Sequence, residues 1–219
     1  MRRLLFAQPM IDPARLMRFV LEMRQAGITD PRALAALERT PRTFFAPAHL
    51  EGLALEDKPL PLGHGQSMTK PSVIGRVVTA LALTDQDLVL EIGTGSGFQS
   101  AAIAELARRV VTLERWRDFA VEANHRFGRA RLLRAIAYAA DGALGWADEA
   151  PYDRIVFNCA VDEPPDVVFE QLKPGGVLIA PLNAAGGQRL IRFRNGQRED
   201  LGAVSFAPLE RGLPDPDAG

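Results

Sequence analysis

From residue 87 onward the chain alternates short apolar runs with helix-patterned segments, and no other feature narrows its fold as much. Residues 88–92, 110–114, 135–139, 154–158 and 177–181 read as buried strands. Helix-patterned stretches follow the first two, near residues 99–108 and 117–127. Strands apolar on both faces and joined through helices imply a parallel sheet with helices on both faces, an α/β architecture. The tail differs: residues 190–193, the turn signal Asn195-Gly196 and residues 203–206 predict an antiparallel hairpin added to that sheet.

Ahead of the sheet, Asp12-Pro13 and Asp30-Pro31 each place a capping carboxylate before a proline at a first helical position. Leu16, Phe19, Val20 and Met23 recur at helical spacing, and Gly27 marks a stop. Residues 1–40 therefore read as a helical extension and residues 41–219 as the main domain. Between Thr40 and Pro71 the periodicity fails, with prolines at 41, 47, 59, 61 and 71, which predicts an ordered loop over the domain. Val73, Ile74, Val77, Val78 and Leu81 then mark one helix face.

Charge and cysteine usage exclude several function classes. With 26 basic and 27 acidic residues the formal charge is −1, so no bulk positive field gathers nucleic acid or anionic lipid. One cysteine rules out an internal disulfide or a multi-cysteine metal site, and three scattered histidines offer little to a metal. The start, Met1 to Ala7, has basic residues before an apolar stretch that Gln8-Pro9 ends short of a secretory signal, and no apolar run reaches the roughly 20 residues of a membrane span. A cytoplasmic protein with neither membrane nor nucleic-acid partner is expected.

Open α/β sheets bind ligands at the carboxyl ends of their strands. Gly93-Thr94-Gly95-Ser96-Gly97-Phe98 follows the first strand there, and its glycines let the backbone turn sharply and approach a ligand. Phe98 stands where a dinucleotide fingerprint asks for a small residue, which weakens a pyrophosphate role. Glu91, two residues before the loop, is placed to face a ligand's ammonium group. Glu114 ends the second strand, where an acid accepts hydrogen bonds from ribose hydroxyls, of NAD and S-adenosylmethionine alike. Asp141-Gly142 follows the third strand and suits an adenine amino group. Together these favour a single adenosine with an amino-acid tail; individually each is also an ordinary turn or a solvated strand-end acid.

Three further stretches carry a resemblance. Pro61-Leu62-Gly63-His64-Gly65-Gln66-Ser67-Met68-Thr69-Lys70-Pro71, then Val89 through Gln99, then Asp141-Gly142-Ala143-Leu144-Gly145-Trp146 with Pro151-Tyr152-Asp153, resemble the successive signatures of protein-L-isoaspartate O-methyltransferases. Residues 171–176 and 206–209 continue the likeness, which covers roughly residues 40–210. It implies a seven-stranded Rossmann-like methyltransferase sheet and transfer of a methyl group from S-adenosylmethionine to the free carboxylate of isoaspartyl residues in damaged proteins. On this resemblance Gln66, Ser67 and Met68 join Glu91, Gly93, Gly95, Gly97, Glu114, Asp141 and Gly142 around the cofactor. Thr69 takes the place of a family serine beside the methyl acceptor, and Ala207, Pro208 and Leu209 border the peptide.

Lys70 and Asn158 depart from the family pattern and are acceptor-side candidates. A relative that esterifies another carboxylate, or a binding protein without turnover, remains open at this point. Cys159 reads as a buried small hydrophobe, His64 as a local hydrogen-bonding residue and Trp146 as packing. The basic run Arg126, Arg129, Arg131 and Arg134 reads as a solvated helix end and loop.

Overall fold

The computed structural model describes residues 12–214; the start at Met1 to Ala7 lies outside them. Two helices open the chain, α1 (Pro13–Gln25) and α2 (Pro31–Arg39). The Asp12 and Asp30 carboxylates accept from the backbone N–H groups of Ala14 and Arg32 at 3.0 and 2.8 Å, as the capping pattern requires. Gly27, at φ +93°, ends α1 with Ile28 N–H donating back to the Met23 carbonyl. The stretch from Thr40 to Pro71 is not a plain loop. It holds a single turn, α3 (Arg42–Phe45), a 3-10 segment (Ala48–Leu53) and a small hairpin of β1 (Leu60–Pro61) and β2 (Ser67–Met68). These pieces are too short to show a period in sequence.

The body follows as α4 (Pro71–Leu81), β3 (Leu88–Ile92), α5 (Phe98–Ala104), β4 (Arg109–Glu114), α6 (Arg117–Arg129), β5 (Ala135–Ala139), β6 (Tyr152–Phe157), α7 (Asp166–Phe169), β7 (Leu172–Ala184), β8 (Gly187–Arg194) and β9 (Gln197–Val204). The seven-stranded sheet has the order β5-β4-β3-β6-β7-β8-β9, parallel up to β7 and antiparallel beyond it. Two expectations need correcting. The helix placed near residues 99–108 ends at Ala104, because the chain turns at once to bring Arg109 N–H onto the Asp87 carbonyl and start β4. The last strand begins at Gln197, directly after the Asn195-Gly196 turn, and stops at Val204.

Side chains alternate along β3. Val89 joins the core shared with α1, α2, α4, α5 and α6, whereas Leu88, Leu90 and Ile92 join the core on the other face. That second face is covered by α7 and by short 3-10 turns in the β5–β6 connection. The front helices pack into the first core through Phe19, Met23, Leu34 and Leu37. Gly75 of α4 leaves room for them: a methyl group there would lie 2.9 Å from Ile28 and 3.2 Å from Leu37.

Arg42 ties the front to the body. Its side chain is 1% exposed and donates to the carbonyls of Ala54, Lys58 and Thr69 at 2.8, 3.0 and 3.1 Å. Burial lowers its pKa to about 10, against the pull of nearby Asp57, so it stays charged at neutral pH.

Candidate active site

The strand order reverses between β4-β3 and β6, so the loops after these strands diverge and leave a crevice at their carboxyl ends. The glycine loop turns there because Gly93, Gly95 and Gly97 hold φ of +96°, +51° and +84°. Across from it the β1–β2 hairpin forms a flap, with Leu62 at 3.6 Å from where a methyl group on Gly95 would sit. His64 at the flap tip hydrogen-bonds Asp118 at 2.8 Å and stacks on Trp116 with ring centroids 3.8 Å apart. A third wall comes from the tail: Arg115 pairs with Glu210, and Gly212 N–H donates to Asp141 Oδ2 at 2.8 Å.

Two cavities meet in this crevice. The first runs over the glycine loop and Glu114 to the flap. The second opens between the flap, Lys70 and residues Ala203 to Ala207. Gln66, Ser67, Thr69, Asn158 and Ala207 line both.

Among the sequence-predicted residues, Gln66, Ser67, Met68, Thr69, Gly93, Gly95, Glu114, Gly142, Asn158, Ala207, Pro208 and Leu209 line the first cavity. Lys70 lines the second, 43% exposed, with Asp57 at 3.9 Å.

Three residues lie elsewhere. Glu91 is fully buried one position short of the strand end, on the α5 side, where it accepts from Gln99, Ser100 and Asn158. The expectation that it faces a ligand's ammonium group is thereby corrected. Gly97 starts α5 behind the loop, packed against Phe127. Asp141 has both carboxylate oxygens engaged, by Ala143 N–H and Gly212 N–H, and fixes the turn that carries Gly142.

Sequence reading missed Trp116 and Phe119, which follow Glu114 by a few residues yet carry no signature of their own, and it gave no role to Gln99, the last residue of the Val89–Gln99 signature. Cys159 packs against the second core as the expected small hydrophobe, and it also lines the cleft. Its thiol, pushed up to about 12 by burial, stays protonated and is no nucleophile at neutral pH.

The electrostatics narrow the ligand. Glu114 accepts from Gly95 N–H at 2.8 Å and Trp116 N–H at 3.0 Å, while burial raises its carboxyl above the ordinary range. Arg115 is the one basic residue among the described lining residues of the first cavity, and Glu210 already neutralises it. A pyrophosphate therefore finds no counter-charge there, whereas a nucleoside with an amino-acid tail suits the charge of the site. Trp116 Nε1 is buried with no protein partner and lines the same cavity, a donor left for a ligand.

The comparisons with known proteins agree with this geometry. A family model described as protein-L-isoaspartate(D-aspartate) O-methyltransferase matches residues 15–212. The protein-L-isoaspartate O-methyltransferase of Maricaulis maris (strain MCS10) is 42% identical over 205 residues, 92% of this chain and 96% of that protein. That of Paracoccus denitrificans (strain Pd 1222) is 42% identical over 204 residues, 91% and 94% of the two chains. A solved protein-L-isoaspartate O-methyltransferase superposes with TM-score 0.80 at 24% identity, covering 90% of this chain and 67% of that one. A Plasmodium falciparum beta-aspartate methyltransferase, in complex with S-adenosyl-L-homocysteine, gives TM-score 0.78 at 19% identity and covers 89% and 98%. These two structural likenesses speak for the fold.

Proposed function

Because the chain belongs to the protein-L-isoaspartate(D-aspartate) O-methyltransferase family and is an S-adenosylmethionine-dependent O-methyltransferase, we propose how its own residues divide the work. The observation that carries the assignment is the junction of two cavities at Thr69 and Asn158, one suited to the cofactor and the other open to a peptide. The cofactor supplies a methyl group made electrophilic by a positively charged sulfur.

In this reading Glu114 receives the ribose hydroxyls, since a carboxylate that holds two backbone N–H groups keeps further lone-pair capacity. Gly93 and Gly95 let the backbone close on the ligand, and Gly142 seats the adenine, with Gly97, Glu91 and Asp141 bracing these positions from behind. Gln66, Ser67 and Met68 close over the ligand from the flap. Thr69 presents its hydroxyl at the acceptor side, and Asn158 floors the junction. Lys70 draws an anionic peptide to the rim, and Ala207, Pro208 and Leu209 border it.

A carboxylate with pKa near ~4 is ionised at neutral pH and needs no base to become a nucleophile. No histidine lines either cavity among the described residues. The residues' task is to align oxygen, methyl and sulfur and to exclude water.

The cavity-lining residues run from Pro59 to Glu210. We accordingly take residues 41–219 as the methyltransferase domain and residues 1–40 as an extension, of which α1 and α2 pack on α4. Isoaspartyl sites of damaged proteins are the proposed partners, and the cytoplasm is the proposed compartment. No helix among the described residues is long and apolar enough to cross a membrane.

The test is transfer of labelled methyl from S-adenosylmethionine to an isoaspartyl peptide but not to its aspartyl twin. Labelling of neither, in protein that binds S-adenosylhomocysteine, rejects the repair reading.

A further inference from the structure

A half-buried amide next to the glycine loop has a fixed sense, and the loop carbonyl sets it. Asn158 Nδ2 lies 2.8 Å from the Gly93 carbonyl and 2.9 Å from Glu91 Oε1. The carbonyl only accepts, so this end of Asn158 must be the amino group and its Oδ1 must be an acceptor. Gln99 meets that Oδ1 at 2.7 Å and Glu91 Oε1 at 3.1 Å, so the end of Gln99 facing them must also be its amino group. Turning either amide over would set oxygen against oxygen.

The consequence falls on the other end of Gln99. Its Oε1 is buried with no hydrogen-bond partner in the protein, in a residue 5% exposed that lines the cofactor cavity between the glycine loop and the flap. A buried acceptor left unpaired is costly, and protein interiors rarely leave one so. A donor reaching this oxygen from the cavity would satisfy it, which the acceptor carboxylate of the substrate cannot do. The nearby acids have other partners: Glu114 holds two backbone amides and, in the reading above, the ribose hydroxyls, and Glu210 pairs with Arg115.

Building on the cofactor reading above, we propose that Gln99 Oε1 receives the ammonium group of the cofactor's amino-acid tail, in the role first expected of Glu91. Glu91 acts one layer back, as the positioning residue that holds the Gln99 amide in this sense. A hydrogen bond to a charged group in a dry site changes affinity by about 10-fold or more.

Calorimetric titration tests this with two ligands, S-adenosylhomocysteine and its analogue in which hydrogen replaces the amino group. The expected result is wild-type protein that favours the amino ligand by about 10-fold or more, and a Gln99→Leu variant in which this preference shrinks to about 2-fold while affinity for the deaminated ligand is kept. Gln99→Met, which keeps the length of the side chain, carries the same comparison should the leucine variant fail to fold. A preference unchanged in the variant overturns the proposal, as does equal weakening of both ligands. So does a crystal structure of the wild-type complex with the ammonium nitrogen out of hydrogen-bond reach of Gln99. Wild-type protein that binds neither ligand rejects the cofactor reading itself, and this contact with it.

Discussion

Glu91 makes the stability of this protein depend on pH in a direction opposite to that of most carboxylates. The side chain is fully buried, and desolvation raises its pKa from 4.5 to about 7, although Ser100, Asn158 and Gln99 all donate to it. A raised folded-state value means that the unfolded chain gives up this proton more readily. The contribution to stability is therefore fully present below about pH 4.5 and is lost as pH rises through about 7. A shift from 4.5 to about 7 corresponds to about 3 kcal/mol in all, of which roughly 2 kcal/mol disappears between about pH 5 and 7.

Glu91→Gln isolates this effect. The amide oxygen takes the place of Oε1, which receives Gln99 and Asn158, and the amide nitrogen takes the place of Oε2, where the Ser100 hydroxyl turns to accept. The variant keeps the contacts and loses the titration. Urea unfolding followed by circular dichroism at several values between about pH 5 and 8, as the difference between wild type and variant, cancels the other groups. That difference should move in the variant's favour by about 2 to 3 kcal/mol as pH rises. A difference flat across the range refutes the reasoning.

Four further outcomes are expected. Glu114→Ala removes the acceptor of two loop amides and the ribose seat, and should weaken S-adenosylhomocysteine binding by about 100-fold in calorimetry. Thr69→Ala should lower kcat for an isoaspartyl peptide by about 10-fold with cofactor affinity held, and Thr69→Ser should restore it. Lys70→Glu should reduce kcat/KM for an anionic peptide by about 5-fold at low salt, with the loss fading near ~0.5 M salt because this lysine is solvent-facing. Gly142→Ala drives a methyl group to 2.4 Å from Ile92 Cγ2, costing about 1–3 kcal/mol and lowering Tm by about 3 to 10 °C in a thermal scan.

The central strands β3 and β4 were legible because burial on both faces writes them as continuous apolar runs, whereas β5, an apolar run too, is a half-exposed edge strand. The final hairpin was legible because Asn195 and Gly196 tolerate the φ of +51° and +72° that its turn demands. Much of the cleft could be read from its glycines and strand-end acids.

Glu91 shows where such reading fails. Closeness in sequence to the glycine loop suggested a ligand contact, yet the two-residue alternation of a strand turns that side chain toward α5. Arg42 was invisible for a different reason: an arginine normally signals surface, and only the tertiary fold reveals carbonyls from residues 54, 58 and 69 gathered around one guanidinium. Gln99, although inside the glycine-loop signature, and Trp116, outside any motif, draw no role from sequence, because their importance lies in atoms left unpaired, which a sequence does not display.

The tail that runs past β9 closes one side of the cleft, through Ala207 to Glu210 and the Arg115 pairing, while the opposite side comes from the flap near residue 66. During synthesis the flap leaves the ribosome well over a hundred residues before its counterpart does. An unfinished chain thus lacks a wall of its own binding site, and full affinity for the nucleoside arrives only with the closing stretch. Retention on an immobilised S-adenosylhomocysteine matrix therefore separates molecules that reach Glu210 from those cut short before Ala207.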